Sequence, residues 1–277
     1  MNLTAAIEAN IAAALAEDLG GGDLTAQLIP APETARAAVI SREAATLCGT
    51  AWFEGCFRKL DKHIDIRWLA RDGDAIAANQ LLCEIRGNAR AMLSAERPAL
   101  NFLQTLSATA SNARRYADAI AGTQALIMDT RKTLPGLRLA QKYAIKTGGG
   151  ANQRNGLYDG ILIKENHIVA AGGIPQALQQ AAAIAPPGVA IQIEVENLAE
   201  LRQALDAGAK LVLLDNFTLK RLREAVSIAA GRAVLEASGG ITLKNVRAIA
   251  ETGVDRISIG ALTKDVKAVD LSMRFIG

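Results

Sequence analysis

Five cations stand in two short spans of the chain. Arg131, Lys132 and Arg138 lie in DTRKTLPGLR (129–138), and Arg154 and Lys164 lie in GGGANQRNGLYDGILIK (148–164). The first span turns on Pro135-Gly136 and the second opens on three glycines, so both can bend closely around a ligand. Lys164 closes the apolar run GILIK, where a lysine must meet an anion, neutralise a carboxylate or form a Schiff base. Glu194 and Asp215 close two later apolar runs in the same way. Adjacent carboxylates in a basic site can hold Mg²⁺, hydrogen-bond sugar hydroxyls or stabilise a developing cation. Cations converging in such number call for several negative charges, which suits a dicarboxylate paired with a phosphorylated substrate. The glycine loops ASGGIT (237–242) and SIGALT (258–263) add backbone N–H groups able to cradle a phosphate.

The elements that must position these residues are legible as a change of texture along the chain. Residues 4–18 carry Ile7, Ile11 and Leu15 at helical spacing. Between 35 and 86, short β-leaning runs flank the helix-like TAWFEGCFRKL, which predicts an α+β unit with a small antiparallel sheet. A long helical region follows over 89–121, and Pro98 is expected to break or offset it. From about 125 onward, apolar runs alternate with helical stretches: ALIMD, GILIK, VAIQIEV, KLVLLD, AVLEAS and RISIG. Glu194, Asp215, Ser238 and Gly260 close four of them at spacings of 21, 23 and 22. That is a βα repeat with buried parallel strands, and polar residues at strand C-termini favour a barrel over an open sheet. Six strands are visible, fewer than the eight of a complete barrel, with 137–158 the place to hide another.

Composition narrows the chemistry. The 277 residues carry a net charge of only +3, so no global basic field recruits nucleic acid or membrane, and anion binding must come from local clusters. Three cysteines without CxxC spacing (Cys48, Cys56, Cys83) and two histidines (His63, His167) argue against a zinc site or a disulfide framework. The N-terminus lacks the pattern of a secretory signal and no apolar run reaches membrane-spanning length, so a cytoplasmic location is expected.

The combination of RKT-PGLR, GGG-N-R-GL-D and LIK-NH resembles the quinolinate phosphoribosyltransferases (carboxylating nicotinate-nucleotide pyrophosphorylases) of the bacterial type. EDLGGGDLTAQLIP, ERPALNFLQTLSATA, IEVENLAEL, LLDNF, EASGGI and GVDRISIGALTK extend the likeness nearly end to end. The resemblance implies an α/β fold: an open-faced α/β sandwich over 1–108, onto which the tail 266–277 packs, and an incomplete, seven-stranded TIM-like barrel over 109–265. It implies phosphoribosyl transfer from 5-phosphoribosyl-1-pyrophosphate to quinolinate, with Mg²⁺, giving nicotinate mononucleotide, pyrophosphate and CO₂ in NAD biosynthesis. It also implies a homodimer or higher oligomer in which Arg97 reaches the partner's site. Arg131, Arg154 and Lys164 would hold quinolinate's carboxylates, with Thr130 beside them, and Lys132 would meet the phosphoribosyl substrate as a catalytic residue. Glu194 and Asp215 would face the ribose and the metal, directly or through the substrate. Ser238, Gly239, Gly240, Ser258, Ile259 and Gly260 would cradle the 5-phosphate.

One position departs from the pattern. The family's usual GGG-x-NHR reads GGGANQR here, so Gln153 stands where a substrate-facing histidine is expected. An amide still donates a hydrogen bond to a carboxylate, but without charge. Two other readings stay open on these residues: a non-catalytic or altered-substrate paralogue, and a barrel lyase with Lys164 as Schiff-base nucleophile.

Overall fold

The computed structural model describes residues 2–276, which divide into two units. Unit 1 comprises residues up to Arg114, Thr133–Gly148 and the segment from Lys264 onward; unit 2 comprises Arg115–Lys132 and Gly149–Thr263.

In unit 1, helix α1 (Leu3–Leu19) starts at Asn2, whose side chain accepts a hydrogen bond from the Thr4 amide, and it buries Ile11 and Leu15. Strands β1 (Thr34–Ser41) and β2 (Ala45–Thr46) precede helix α2 (Thr50–Leu60). Asp72 accepts from the amides of Gly49 and Thr50 at 3.1 Å each, supplying from a distant turn the cap that Gly49 cannot. Strands β3 (Asp65–Trp68), β4 (Ala75–Ile76) and β5 (Leu81–Asn88) follow. The four-stranded sheet, ordered β12-β1-β5-β3, is antiparallel throughout, and β12 (Leu271–Ile276) is the chain's tail. Buried positions alternate along the second half of β1, as they must in a sheet with one covered face. Trp52, Phe53 and Phe57 of α2 and Leu82 and Ile85 of β5 are fully buried in that core.

Helix α3 (Ala89–Ala119) runs unbroken through Pro98, contrary to the break expected there. Proline removes one backbone bond, whereas Ala95, Ala99, Leu100, Leu103 and Leu106 around it are all buried, and that packing outweighs the loss. Unit 1 also holds helix α4 (Arg138–Thr147), whose Tyr143 hydroxyl donates to Asp72 at 2.9 Å. The three cysteines are free and buried. Burial pushes the Cys56 thiol up to about 12 and raises Cys48 and Cys83 as well, so all three serve as core residues and not as nucleophiles. Among the described residues, no helix is long and apolar enough to cross a membrane.

Unit 2 is built on six parallel strands, interleaved with helices. In chain order they are β6 (Leu126–Met128), β7 (Gly160–Ile163), β8 (Ala190–Val195), β9 (Leu211–Asp215), β10 (Val234–Ser238) and β11 (Arg256–Ser258). The helices are α5 (Glu165–Ala171), α6 (Ile174–Ile184), α7 (Leu198–Asp206), α8 (Leu219–Ala229), α9 (Val246–Ala250) and α10 (Ala261–Lys264). Asn197 and Thr218 cap α7 and α8 through side-chain bonds to the first-turn amides. The strand order β6-β11-β10-β9-β8-β7 is that of a partial TIM-like barrel. A seventh position exists as a single parallel bridge from Met128, the last residue of β6, to Ala151. The Asp129 amide donates to the Ala151 carbonyl at 3.1 Å, but the next rung is made by a side chain. There the Gln153 amide donates to the Asp129 carboxylate at 2.8 Å. A strand whose ladder passes so quickly to a side chain leaves no alternating pattern to read.

Candidate functional site

Residues paired across parallel strands share a face, so the register identifies what looks into the barrel. Leu162 pairs with Gln192, Glu194 with Leu213, Leu213 with Glu236, and Asp215 with Ser238. These residues therefore line one face, and Lys164, two past Leu162, continues it. The face is the interior, because Gln192 on β8 reaches Glu236 on β10 at 3.1 Å across the intervening β9. Its outermost layer at the strand C-termini carries Lys164, Glu194, Asp215 and Ser238.

Within that layer the Lys164 ammonium bridges both oxygens of Glu194, at 2.9 and 3.2 Å. On the neighbouring strand β9, Asp215 is followed by Asn216, held at a left-handed φ of 55° with its side-chain amide donating to Asp215 at 2.7 Å. The Asn216 backbone amide donates to the Ser238 carbonyl at 2.9 Å, which ties the β9 and β10 ends together. Gly239 and Gly240 follow at φ of 95° and 60°, conformations that L side chains rarely adopt. At Gly260 an added Cβ would lie 3.1 Å from Cδ of Lys132, so glycine there lets the lysine stem run along the loop. The Lys132 amide donates to Thr130 Oγ1 at 3.1 Å, and its carbonyl accepts from Thr263 at 2.7 Å. Lys132 is thus fixed by its backbone, with its side chain left to act.

Two of the expected site arginines, Arg131 and Arg154, are near enough for their charges to interact. Burial pulls the Arg154 guanidinium down from its usual range, the nearby Arg131 charge pulls it further, and Asp159 partly offsets both. Arg154 also donates to the Gly160 carbonyl at 2.9 Å. A partly desolvated guanidinium beside a second positive charge favours the approach of an anion. Arg97 and Arg138 belong to unit 1.

Several expected contributors sit elsewhere in the network. The Ser258 hydroxyl turns into the barrel and donates to Glu236 instead of facing the rim, because position 258 lies one layer below Gly260. The Ile259 amide is committed to the Met128 carbonyl at 3.1 Å, so it cannot donate to a phosphate. His167 accepts through Nδ1 from the Lys164 amide at 3.0 Å, a helix-start role at α5. Gln153 donates through Nε2 to both oxygens of Glu236, so its amide faces inward. Glu236, Gln192 and Asp129, each buried, were not singled out in the sequence. The available signal was a polar residue inside an apolar strand, in AVLEAS and VAIQIEV.

Comparison with known proteins gives the family of the chain. The family model described as quinolinate phosphoribosyl transferase, C-terminal domain, matches residues 109–274, and the corresponding N-terminal domain model matches 23–107. The solved nicotinate-nucleotide pyrophosphorylase of Francisella tularensis superposes with a TM-score of 0.94 at 45% identity, covering 98% of this chain and 96% of its own. NadC from Streptococcus pyogenes gives 0.94 at 36% identity over 98% and 97%. The Nicotiana tabacum mitochondrial quinolinate phosphoribosyltransferase (decarboxylating) 2a is 37% identical across 94% of this chain and 80% of its own.

Proposed function

The chain belongs to the quinolinate phosphoribosyltransferase family, and from that premise we propose that it joins quinolinate to 5-phosphoribosyl-1-pyrophosphate. The products are nicotinate mononucleotide, pyrophosphate and CO₂, a step of NAD biosynthesis. The observation that carries this reading is the rim of the inner face, where Lys164 bridges Glu194 and Asp215 stands on the next strand, with the partly desolvated Arg154 feeling the charge of Arg131.

Arg131, Arg154 and Lys164 bind the two carboxylates and aim the ring nitrogen at C1 of the ribose. The nitrogen lone pair forms the new C1–N bond as the C1–O bond to pyrophosphate breaks. Positive charge that builds on the ribose meets Glu194 and Asp215. Lys132 lies on the pyrophosphate side and stabilises the departing negative charge, and the Gly239-Gly240 loop takes the 5-phosphate through backbone N–H groups. The 2-carboxylate then leaves as CO₂, its bonding pair stays at ring carbon 2 beside the quaternised nitrogen, and water protonates that carbon. Two carboxylates on neighbouring strands are hard oxygen donors that suit Mg²⁺ shared with the substrate's phosphates. When bound, the ion neutralises pyrophosphate charge. We further assign the working form to a homodimer, with Arg97 completing the partner's site.

Lys164 already faces a carboxylate, whereas a Schiff-base lysine needs an apolar pocket or a neighbouring cation, so the lyase reading is disfavoured. Calorimetry tests the proposal at the binding step. Quinolinate should bind at least about tenfold more tightly than nicotinate, the worth of a charge-assisted contact to the second carboxylate. Equal affinity for the two acids would refute a dicarboxylate site. Gln153→His provides a separate check. As imidazolium, histidine can donate to Glu236 through one nitrogen and to a substrate carboxylate through the other, so kcat/KM for quinolinate should rise about fivefold. No rise would mean that position 153 does not contact substrate in this chain.

A further inference from the structure

Resting on the reaction proposed above, we propose that Glu236 is a positioning residue: its buried carboxylate, held by Gln153, Gln192 and Ser258, anchors the 151–154 segment and so aims Arg154. The segment needs such an anchor. It joins the sheet by one bridge, at Ala151, where each true strand of unit 2 has a ladder. Its other ties are made by side chains. Asn152 Nδ2 donates to Asp129 Oδ2 at 2.6 Å, the Gln153 amide to Asp129 Oδ1 at 2.8 Å, and Gln153 Nε2 to Glu236 Oε2 at 2.5 Å.

Glu236 has no solvent exposure, and burying a carboxylate is costly unless its oxygens are fully bonded. Three neutral donors from three different parts of the barrel meet that need: Gln153 after the bridge, Gln192 on β8 and Ser258 on β11. The carboxylate thus cross-links the weakly paired segment to strands that are firmly paired. It lies too deep to touch substrate itself, since Glu236 and Gln192 each precede a rim residue, Ser238 and Glu194, by two positions on the same face. Arg154 is the very next residue after Gln153, and it stands against the repulsion of Arg131. Its guanidinium is held at the far end by the Gly160 carbonyl at 2.9 Å, and the Gln153–Glu236 tie fixes the backbone from which the side chain starts. Gln153 therefore acts from beneath the site, as the replacement for closing backbone pairs.

Hydrogen exchange and kinetics on Glu236→Leu and Glu236→Gln test this together. In Glu236→Leu, the amides of Ala151 and Gln153 should exchange about tenfold faster while β8 and β9 keep their protection. KM for quinolinate should rise about tenfold, with kcat and KM for phosphoribosyl pyrophosphate held within about twofold. Glu236→Gln, which retains one acceptor oxygen for Gln153, should recover part of both losses. Unchanged exchange at 151–154, or a uniform loss of protection with both KM values rising together, would overturn the role. Should Glu236→Leu fail to fold, Glu236→Gln and Gln153→Leu carry the same comparison. The exchange arm needs no turnover, so it stays decisive even if the wild-type chain made no nucleotide.

Discussion

Lys164→Met should lower kcat/KM for quinolinate by about 10²-fold, the largest effect expected of any single rim residue. Its ammonium bridges both Glu194 oxygens, with the lysine side chain 45% exposed and the glutamate 12%. Methionine keeps the apolar stem but leaves a nearly buried carboxylate without its cation. Two penalties then add. Substrate loses a charge-assisted bond of roughly 1.5–3 kcal/mol, and Glu194 newly repels the incoming carboxylates. An ammonium has three donors, so in the native site it can keep Glu194 while also gripping substrate. Lys164→Arg should recover only part of the loss, because a planar fork does not reproduce a compact ammonium between two carboxylates. Steady-state kinetics suffice, and a change below about threefold in Lys164→Met would remove Lys164 from the site.

Gly239→Ala should raise KM for phosphoribosyl pyrophosphate by more than about tenfold and also lower stability. Backbone strain at φ 95° costs roughly 1–2 kcal/mol for a residue with a Cβ. The added carbon would also run into the Asn216 side chain and approach its backbone amide. Asn216 is bonded to Asp215 through its side chain and to Ser238 through its backbone, so displacing it moves two rim residues at once. Gly240 is the control. Its φ of 60° is also left-handed, yet a Cβ there meets open space. Gly240→Ala should therefore lower Tm by a few degrees with a smaller rise in KM. Identical kinetics for the two variants would mean that the loop is strained but does not shape the phosphate site.

What could be read from the sequence was whatever depends on periodicity. Glu194, Asp215 and Ser238 close apolar strands at nearly equal spacing, and the register places them together on the inner face. The seventh strand escaped because its ladder passes to the Asp129 carboxylate after one bridge, so no alternating apolar run marks it. Pro98 misled because the loss of one backbone bond is local, whereas the burial that overrides it depends on packing partners distant in sequence. The phosphate loops were legible as glycines, but not the fact that Ser258 stands a layer below Gly260 and Ile259 donates its amide elsewhere. Gln153 was visible as a departure from a pattern. Its bond to Glu236 joins residues 83 apart, and only the curled sheet of unit 2 brings them together.

Production of CO₂ tests the central claim most directly. The purified protein should be supplied with Mg²⁺, phosphoribosyl pyrophosphate and quinolinate labelled at the 2-carboxylate, while labelled CO₂ and nicotinate mononucleotide are followed together. The account predicts that both appear in equal amounts, only when both substrates are present. Absence of both products from folded protein, or nucleotide formed with the labelled carboxylate retained, would contradict it.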